Sequence, residues 1–224
     1  MTEEKVKGIV LKLIDYKDAD KLASIFTLDY GVITAKFVGV KKEKAKLKAV
    51  AQPFTFADFN FTTRANNRVV AGANLIDNFY NLMLNYNKTI CGYIVLDILK
   101  SILPEEKPES DLFLLAISTL KNIEQNNEYV ATIDFILKFL NFSGFNVELP
   151  ENDYVYFDKE NADFSTQRTQ NCIQVDKSVY ATIKKINENQ NEEFNEMTLK
   201  QILRLLHNVI FIRFGVKIKS FEFI

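Results

Sequence analysis

The chain has no tryptophan, one histidine, two cysteines, four prolines and seven glycines among 224 residues, and each shortage removes a class of chemistry. Cys91 and Cys172 are too few for the disulfide framework of a small secreted domain. They form no CxxC, so the usual ligand spacing for zinc is missing. Cys91, inside "KTICGYIV", reads as a small buried hydrophobe. The one histidine, His207, lies in "RLLHNVIF" on an expected amphipathic helix, where a lone imidazole is a structural residue far more often than a catalytic one. The glycines make neither GxGxxG nor GxxxxGK[ST], which excludes the common phosphate-cradling loops. Paired acids at Glu105-Glu106 and Glu192-Glu193 flank expected loops and read as solvated. An enzyme is therefore not expected. No apolar run reaches the roughly 18 residues that span a bilayer. The start, "MTEEKVKG", lacks the apolar block of a signal peptide. The expectation is a cytoplasmic protein with no membrane partner.

What the chain does have is a local excess of positive charge. Its net charge is −1. Residues 1–80 carry 13 basic and 9 acidic side chains, and residues 81–224 carry 15 and 20. Such asymmetry points to a polyanion met by one half only. Within the first half the excess is concentrated further. Lys36, Lys41, Lys42, Lys44, Lys46 and Lys48 face a single acid, Glu43, in thirteen residues.

The two halves follow different patterns. "VKGIVLKLIDY" (6–16), "KLASIFTLDY" (21–30), "GVITAKFVGV" (31–40), "PFTFADFNFTT" (53–63) and "RVVAGANLI" (68–76) are short, rich in β-branched and aromatic residues, and separated by polar turns. The phase change between Phe56 and Phe59 predicts a bulge in the fourth. Five short strands in roughly 75 residues suit a small barrel, and the OB-fold is the five-stranded barrel of this economy. The second half has a helical period: 88–103, a helix opened by Ser110 as N-cap, one ending at Gly144, then 176–188 and 196–215. Residues 145–175 show no steady period and read as an irregular insert or weak hairpin. The expected class is α+β, an OB-fold barrel at 1–79 followed by a helical domain at 80–224.

Lysines clustered in one barrel loop offer phosphate binding. If the loop is extended, Lys42, Lys44, Lys46 and Lys48 line one edge; if it coils, Lys41, Lys44 and Lys48 share a face. The competing reading is a solvated, mobile loop. Phe54, Phe56, Phe59 and Phe61 could stack bases, although core packing suits most of them better.

In order, spacing and character, "KGIVLKLIDYKDADKLASIFTLDYGVITAKFVGVKKEKAKLKAVAQPF" resembles the start of the RecO DNA repair and recombination mediators, and "RFGVKIKSFEFI" resembles their end. The resemblance covers about 5–144 and 196–224. It implies an OB-fold, a helical domain and activity without catalysis: binding of single- and double-stranded DNA without sequence preference, and annealing of complementary strands. It further implies work with the C-terminal tail of the single-stranded DNA-binding protein SSB and with RecR, so that RecA is loaded indirectly. On this reading the six lysines form a DNA-backbone clamp, extended by Arg64 and Arg68, because a flexible point charge meets phosphate without reading bases. Lys138, in "FILKFLNFSGF", falls where the family tends to place a basic residue and is the candidate contact for the acidic SSB tail. Rival readings are another OB-type module, such as an RNA-binding factor, or an interaction protein that meets no nucleic acid.

Most of the family carries a four-cysteine zinc motif in the segment that here reads "SGFNVELPENDYVYFDKENADFSTQRTQNCIQVDKS", which keeps only Cys172. No tightly bound zinc is expected, so packing must hold the segment if it is ordered. Elemental analysis of protein purified without added metal should find far less than one zinc per chain; a stoichiometric amount would overturn this.

Overall fold

Five strands near the N-terminus close on themselves because each has an apolar face that only the others can cover. They are β1 (Thr2–Tyr16), β2 (Asp20–Thr27), β3 (Gly31–Phe37), β4 (Phe56–Arg64) and β5 (Asn67–Asp77). Their order around the barrel is β1-β2-β3-β5-β4, with β4 pairing back onto β1. All pairs are antiparallel except β3 with β5, where Ala35 and Lys36 lie beside Arg68 and Val69. In this computed structural model the described residues are all but 1, 65–66, 146, 148–149, 151–154 and 191, and for side chains also all but 2, 3 and 64.

Alternation decides which side chains fill the barrel. Val6, Val10, Ile25, Ile33, Phe37, Ala57, Phe59 and Phe61 point inward and are buried. Phe59 stands edge-on to Phe37 with centroids 6.4 Å apart and stacks on Phe61 at 5.8 Å. The register of β4 against β5 does shift at Phe56/Ala57, within the expected window, but the extra residue is on β5 and not in the fourth strand. Phe56 simply faces outward, 6.0 Å from Phe113, while Ala57, Phe59 and Phe61 keep phase. The irregular pairings of β4 with β5 skip Ile76 and Ala71, so the extra residues belong to β5. A further irregularity lies at Leu11, which the pairing of β1 with β2 skips, while Val10 carries the β1–β4 ladder one residue beyond β4. Its amide donates to Thr55 at 2.9 Å and its carbonyl accepts from Phe54 at 3.1 Å.

Helices follow: α1 (Tyr80–Met83), α2 (Tyr86–Ile102), α3 (Ser110–Gln125) and α4 (Glu128–Phe142). A small sheet comes next, β6 (Val155–Asp158), β7 (Asp163–Ser165) and β8 (Cys172–Val175), and then α5 (Lys177–Asn187), α6 (Glu196–Phe214) and a 3₁₀ turn at Lys219–Phe223. The chain divides into two compact units, residues 1–83 with 96–117, and residues 84–95 with 118–224.

Side-chain caps start several helices. Asn127 accepts from the amides of Tyr129 and Val130, Asp176 from Ser178, and Asn195 from Thr198. Ser110 does not cap α3 as expected; it is the first helical residue, and its hydroxyl donates to the Leu28 carbonyl at 3.4 Å. Gly144 and Gly215 follow α4 and α6 with positive φ, the usual helix stop. His207 stacks flat on Phe221 at 4.5 Å. Burial, then the charge of Lys217, holds its imidazole below its ordinary pKa.

Of the two readings of 145–175, the hairpin is present as β6–β7, and β8 extends it to a three-stranded antiparallel sheet ordered β7-β6-β8; the parts at 146, 148–149 and 151–154 lie outside the described residues. Aromatic packing organises it. Phe157 meets Phe164 edge-on at 5.6 Å, and Phe164 meets Tyr180 of α5 at 6.2 Å. Arg213 of α6 pairs with Asp163 at 2.7 Å. Among the described residues no three His, Cys, Asp or Glu side chains gather as metal ligands. Cys172, the one cysteine of the segment, has its Sγ 2.9 Å from the Thr169 hydroxyl. Among the described residues the donor set does not fit zinc.

The turn into β3 gives a stability test. Gly31 has φ +69°, and a Cβ there would strike the backbone of Lys107. That strand of chain lies close because Glu106 donates its amide to the Val32 carbonyl at 3.0 Å. Gly215 has the same φ but open space around it. Gly31→Ala should cost about 2–4 kcal/mol, from left-handed strain plus displaced backbone. Gly215→Ala should cost about 1 kcal/mol, from conformation alone. Urea denaturation of both variants checks the difference; equal losses would contradict the packing.

Candidate nucleic-acid interface

The lysine-rich segment between β3 and β4 is neither extended nor free of the barrel. Successive turns coil it: the amides of Lys42, Ala45, Lys48 and Val50 donate to the carbonyls of Gly39, Lys42, Ala45 and Leu47 at 3.1–3.2 Å. Coiling sorts the side chains. Val40, Val50 and Ala51 are buried with the barrel core, and Leu47 packs against it. Lys41, Lys42, Lys44, Lys46 and Lys48 are left exposed. The segment is thus an end plug for the barrel, held by its apolar residues, with the charge turned to water.

Three contacts tie the plug to the turn between β1 and β2. The Lys41 amide donates to the Ala19 carbonyl at 3.0 Å, and the Gly39 amide to the Asp20 carboxylate at 2.7 Å. Gly39 sits at φ +66°, a conformation that glycine adopts without steric cost. The ammonium of Lys41 then pairs with Asp15 at 2.9 Å. These bonds also set the acids. The Gly39 amide, then Lys36, holds the Asp20 carboxyl below its ordinary pKa, and Lys41 does the same for Asp15.

The eight basic residues expected at the interface therefore fall into separate groups. Lys36 is half-buried and paired with Asp20 at 2.9 Å, and Lys41 is paired with Asp15. Arg68 bonds to Glu106 at 2.5 Å and lies over the Tyr30 ring, 5.8 Å from its centroid, which turns it to Glu106 rather than to the plug. Arg64 ends β4, and its side chain lies outside the described residues. Lys42, Lys44, Lys46 and Lys48 make no ion pair with any described carboxylate, unlike Lys36, Lys41 and Arg68.

The phenylalanines cannot stack bases. Phe54, Phe59 and Phe61 are at most 1% exposed, and Phe56 is engaged with Phe113. The structure instead shows a ring that the sequence reading passed over. Tyr16 ends β1 and is exposed, with the ammonium groups of Lys36 and Lys17 at 5.1 and 5.4 Å from its centroid. Its signal was present in "DYKDADKL", where alternation through Lys12 and Ile14 carries Tyr16 to the outer face.

Lys138, the expected contact for an acidic tail, lies on the exposed face of α4 and pairs with Asp134 one turn earlier at 2.7 Å. The cleft of about 380 Å³ beside it is lined by Asn122, Asn126, Asn127, Val130, Asp134 and Ile186, among others, and Lys138 is not part of the lining. No helix among the described residues is long and apolar enough to cross a membrane.

Comparison with known proteins agrees with both halves of the chain. Residues 1–79 match the family model described as "Recombination protein O N terminal", and residues 83–220 match "Recombination protein O C terminal". Among curated proteins, the "DNA repair protein RecO" of Caldicellulosiruptor saccharolyticus is 29% identical over 143 residues, 63% of this chain and 58% of that one. Its namesake from Halalkalibacterium halodurans is 27% identical over 148 residues, 66% of this chain and 58% of that one. The one from Listeria monocytogenes serotype 4b is 28% identical over 138 residues, 61% and 54%. The matched region thus spans a little over half of these relatives' length. With family models matching on both sides of residue 80, the chain belongs to the recombination protein O family.

Proposed function

We propose that the N-terminal barrel is an OB-fold and that its lysine-bearing plug binds the phosphate backbone of single- and double-stranded DNA without reading sequence. The observation that carries this is the set of four ammonium groups, Lys42, Lys44, Lys46 and Lys48, without ion pairs to described residues on a segment anchored by its own apolar residues. A barrel whose third strand lies beside its fifth supports the OB assignment. The relatives' name, DNA repair protein RecO, supports repair as the setting. In that setting the protein anneals complementary strands and acts with SSB and RecR in loading RecA. Point charges on a fixed loop suit annealing because they hold a backbone and leave bases free to pair.

If each of the four lysines neutralises one phosphate of a single strand, log K should fall against log salt with a slope of roughly −3. Raising salt from about 50 to 200 mM would then weaken binding on the order of fifty- to a hundred-fold. Replacing Lys42, Lys44, Lys46 and Lys48 together by Ala should flatten the slope by about 2–3. The loss should be alike for different base sequences. A salt titration of fluorescent oligonucleotide binding measures both, and an unchanged slope in the folded quadruple variant would sink the assignment.

The helical unit is proposed to meet the acidic SSB tail, with Lys138 contributing once Asp134 is exchanged for the tail's carboxylates. Lys138→Glu in the full chain should weaken binding of an SSB tail peptide several-fold by replacing attraction with repulsion. Undiminished affinity would remove Lys138 from the site.

A further inference from the structure

We infer that Tyr16 is a base-stacking platform that gives this barrel its preference for unpaired over paired strands. The inference rests on the DNA-binding reading of the plug and adds a contact that phosphate-binding lysines cannot supply. Ammonium groups meet single strands and duplexes alike. An exposed ring meets only a base whose face is free, because bases in a duplex are already stacked on their neighbours.

Position, surroundings and accessibility all point to Tyr16. Of the aromatic rings on the barrel strands, Phe26, Phe37, Phe59 and Phe61 are fully buried and Phe56 packs on Phe113, whereas Tyr16 is 38% exposed. Lys36, 5.1 Å from its centroid, pairs with Asp20, which accepts from the Gly39 amide where the plug begins, so the ring stands beside the plug's anchored end. The ammonium groups of Lys36 and Lys17 lie over the ring, Lys36 held there by its 2.9 Å pair with Asp20, so a base stacks by displacing the Lys17 ammonium toward a phosphate. Cations around an aromatic face are the surroundings that a nucleotide needs, with the ring taking the base and the ammonium groups the flanking phosphates. Ile14, 52% exposed on the same face of β1, extends the apolar surface on which a base can rest.

The chain has no tryptophan, so Tyr16→Trp supplies a reporter whose signal comes from this position alone. Its emission should be strongly quenched when the full-length variant binds an oligothymidine. Tyr16→Ala should bind the same oligothymidine on the order of ten-fold more weakly, with an unchanged salt slope, since stacking releases no counterions. Tyr16→Phe, which keeps the ring, should bind like the unchanged protein, and all of them should bind a duplex of equal length alike. Circular dichroism checks that each variant is folded. Oligothymidine affinity undiminished in Tyr16→Ala, or unquenched emission from bound Tyr16→Trp, would overturn the stacking role and leave the lysine plug standing. A flattened salt slope in Tyr16→Ala would overturn it too, by making Tyr16 a support for the lysines. Absence of salt-dependent DNA binding by the unchanged protein would overturn both readings.

Discussion

A barrel of five short strands leaves its ends open to water, and closing one of them with Val40, Leu47, Val50 and Ala51 is the constraint on which this structure turns. Those side chains must enter the core, and a coiled segment can put apolar groups on one side only by putting the residues between them on the other. Every lysine from 41 to 48 is a residue between. The crowding of like charge is therefore held in place by hydrophobic burial, and the acids of the β1–β2 turn, Asp15 and Asp20, neutralise its near edge. The far edge stays charged. A flexible tether would spread the same lysines over many arrangements, and binding would have to order them first.

Much of this was legible in the sequence because it is written locally. Five strand segments, the helical second half, the stops at Gly144 and Gly215 and the lysine cluster all follow from composition and short-range period. What was missed depends on partners remote in sequence. Phe56 was read as a register change because nothing in "FTFADFNF" announces Phe113, which covers it from outside. Ser110 was read as a cap because its acceptor, the Leu28 carbonyl, is 82 residues away. Lys36, Lys41 and Arg68 looked as available as their neighbours until Asp20, Asp15 and Glu106 were found beside them. Tyr16 drew no notice for the opposite reason: a single tyrosine at a strand end is unremarked until the surrounding rings prove to be buried.

The small sheet within 145–175 shows what packing contributes where strands are very short. Strands of three and four residues bury too little to be stable alone. Phe157, Phe164 and Tyr180 supply an aromatic cluster in their place, and Arg213 fastens the sheet's edge to α6. A metal site would tie this region's order to metal supply and to redox state.

The closure of the barrel also has a consequence for how the protein is made. β1 pairs with β2 across a three-residue turn, but along its other edge it pairs with β4, with Thr2 opposite Thr63, about sixty residues later. During synthesis β1 leaves the ribosome well before the strand that covers its second edge. For several seconds, at roughly 5–20 residues per second, its second edge is an open template for any passing strand. That this edge carries Glu4, Lys5 and Lys7 in its first stretch is then a form of protection in time, effective in the nascent chain and no longer needed once β4 arrives.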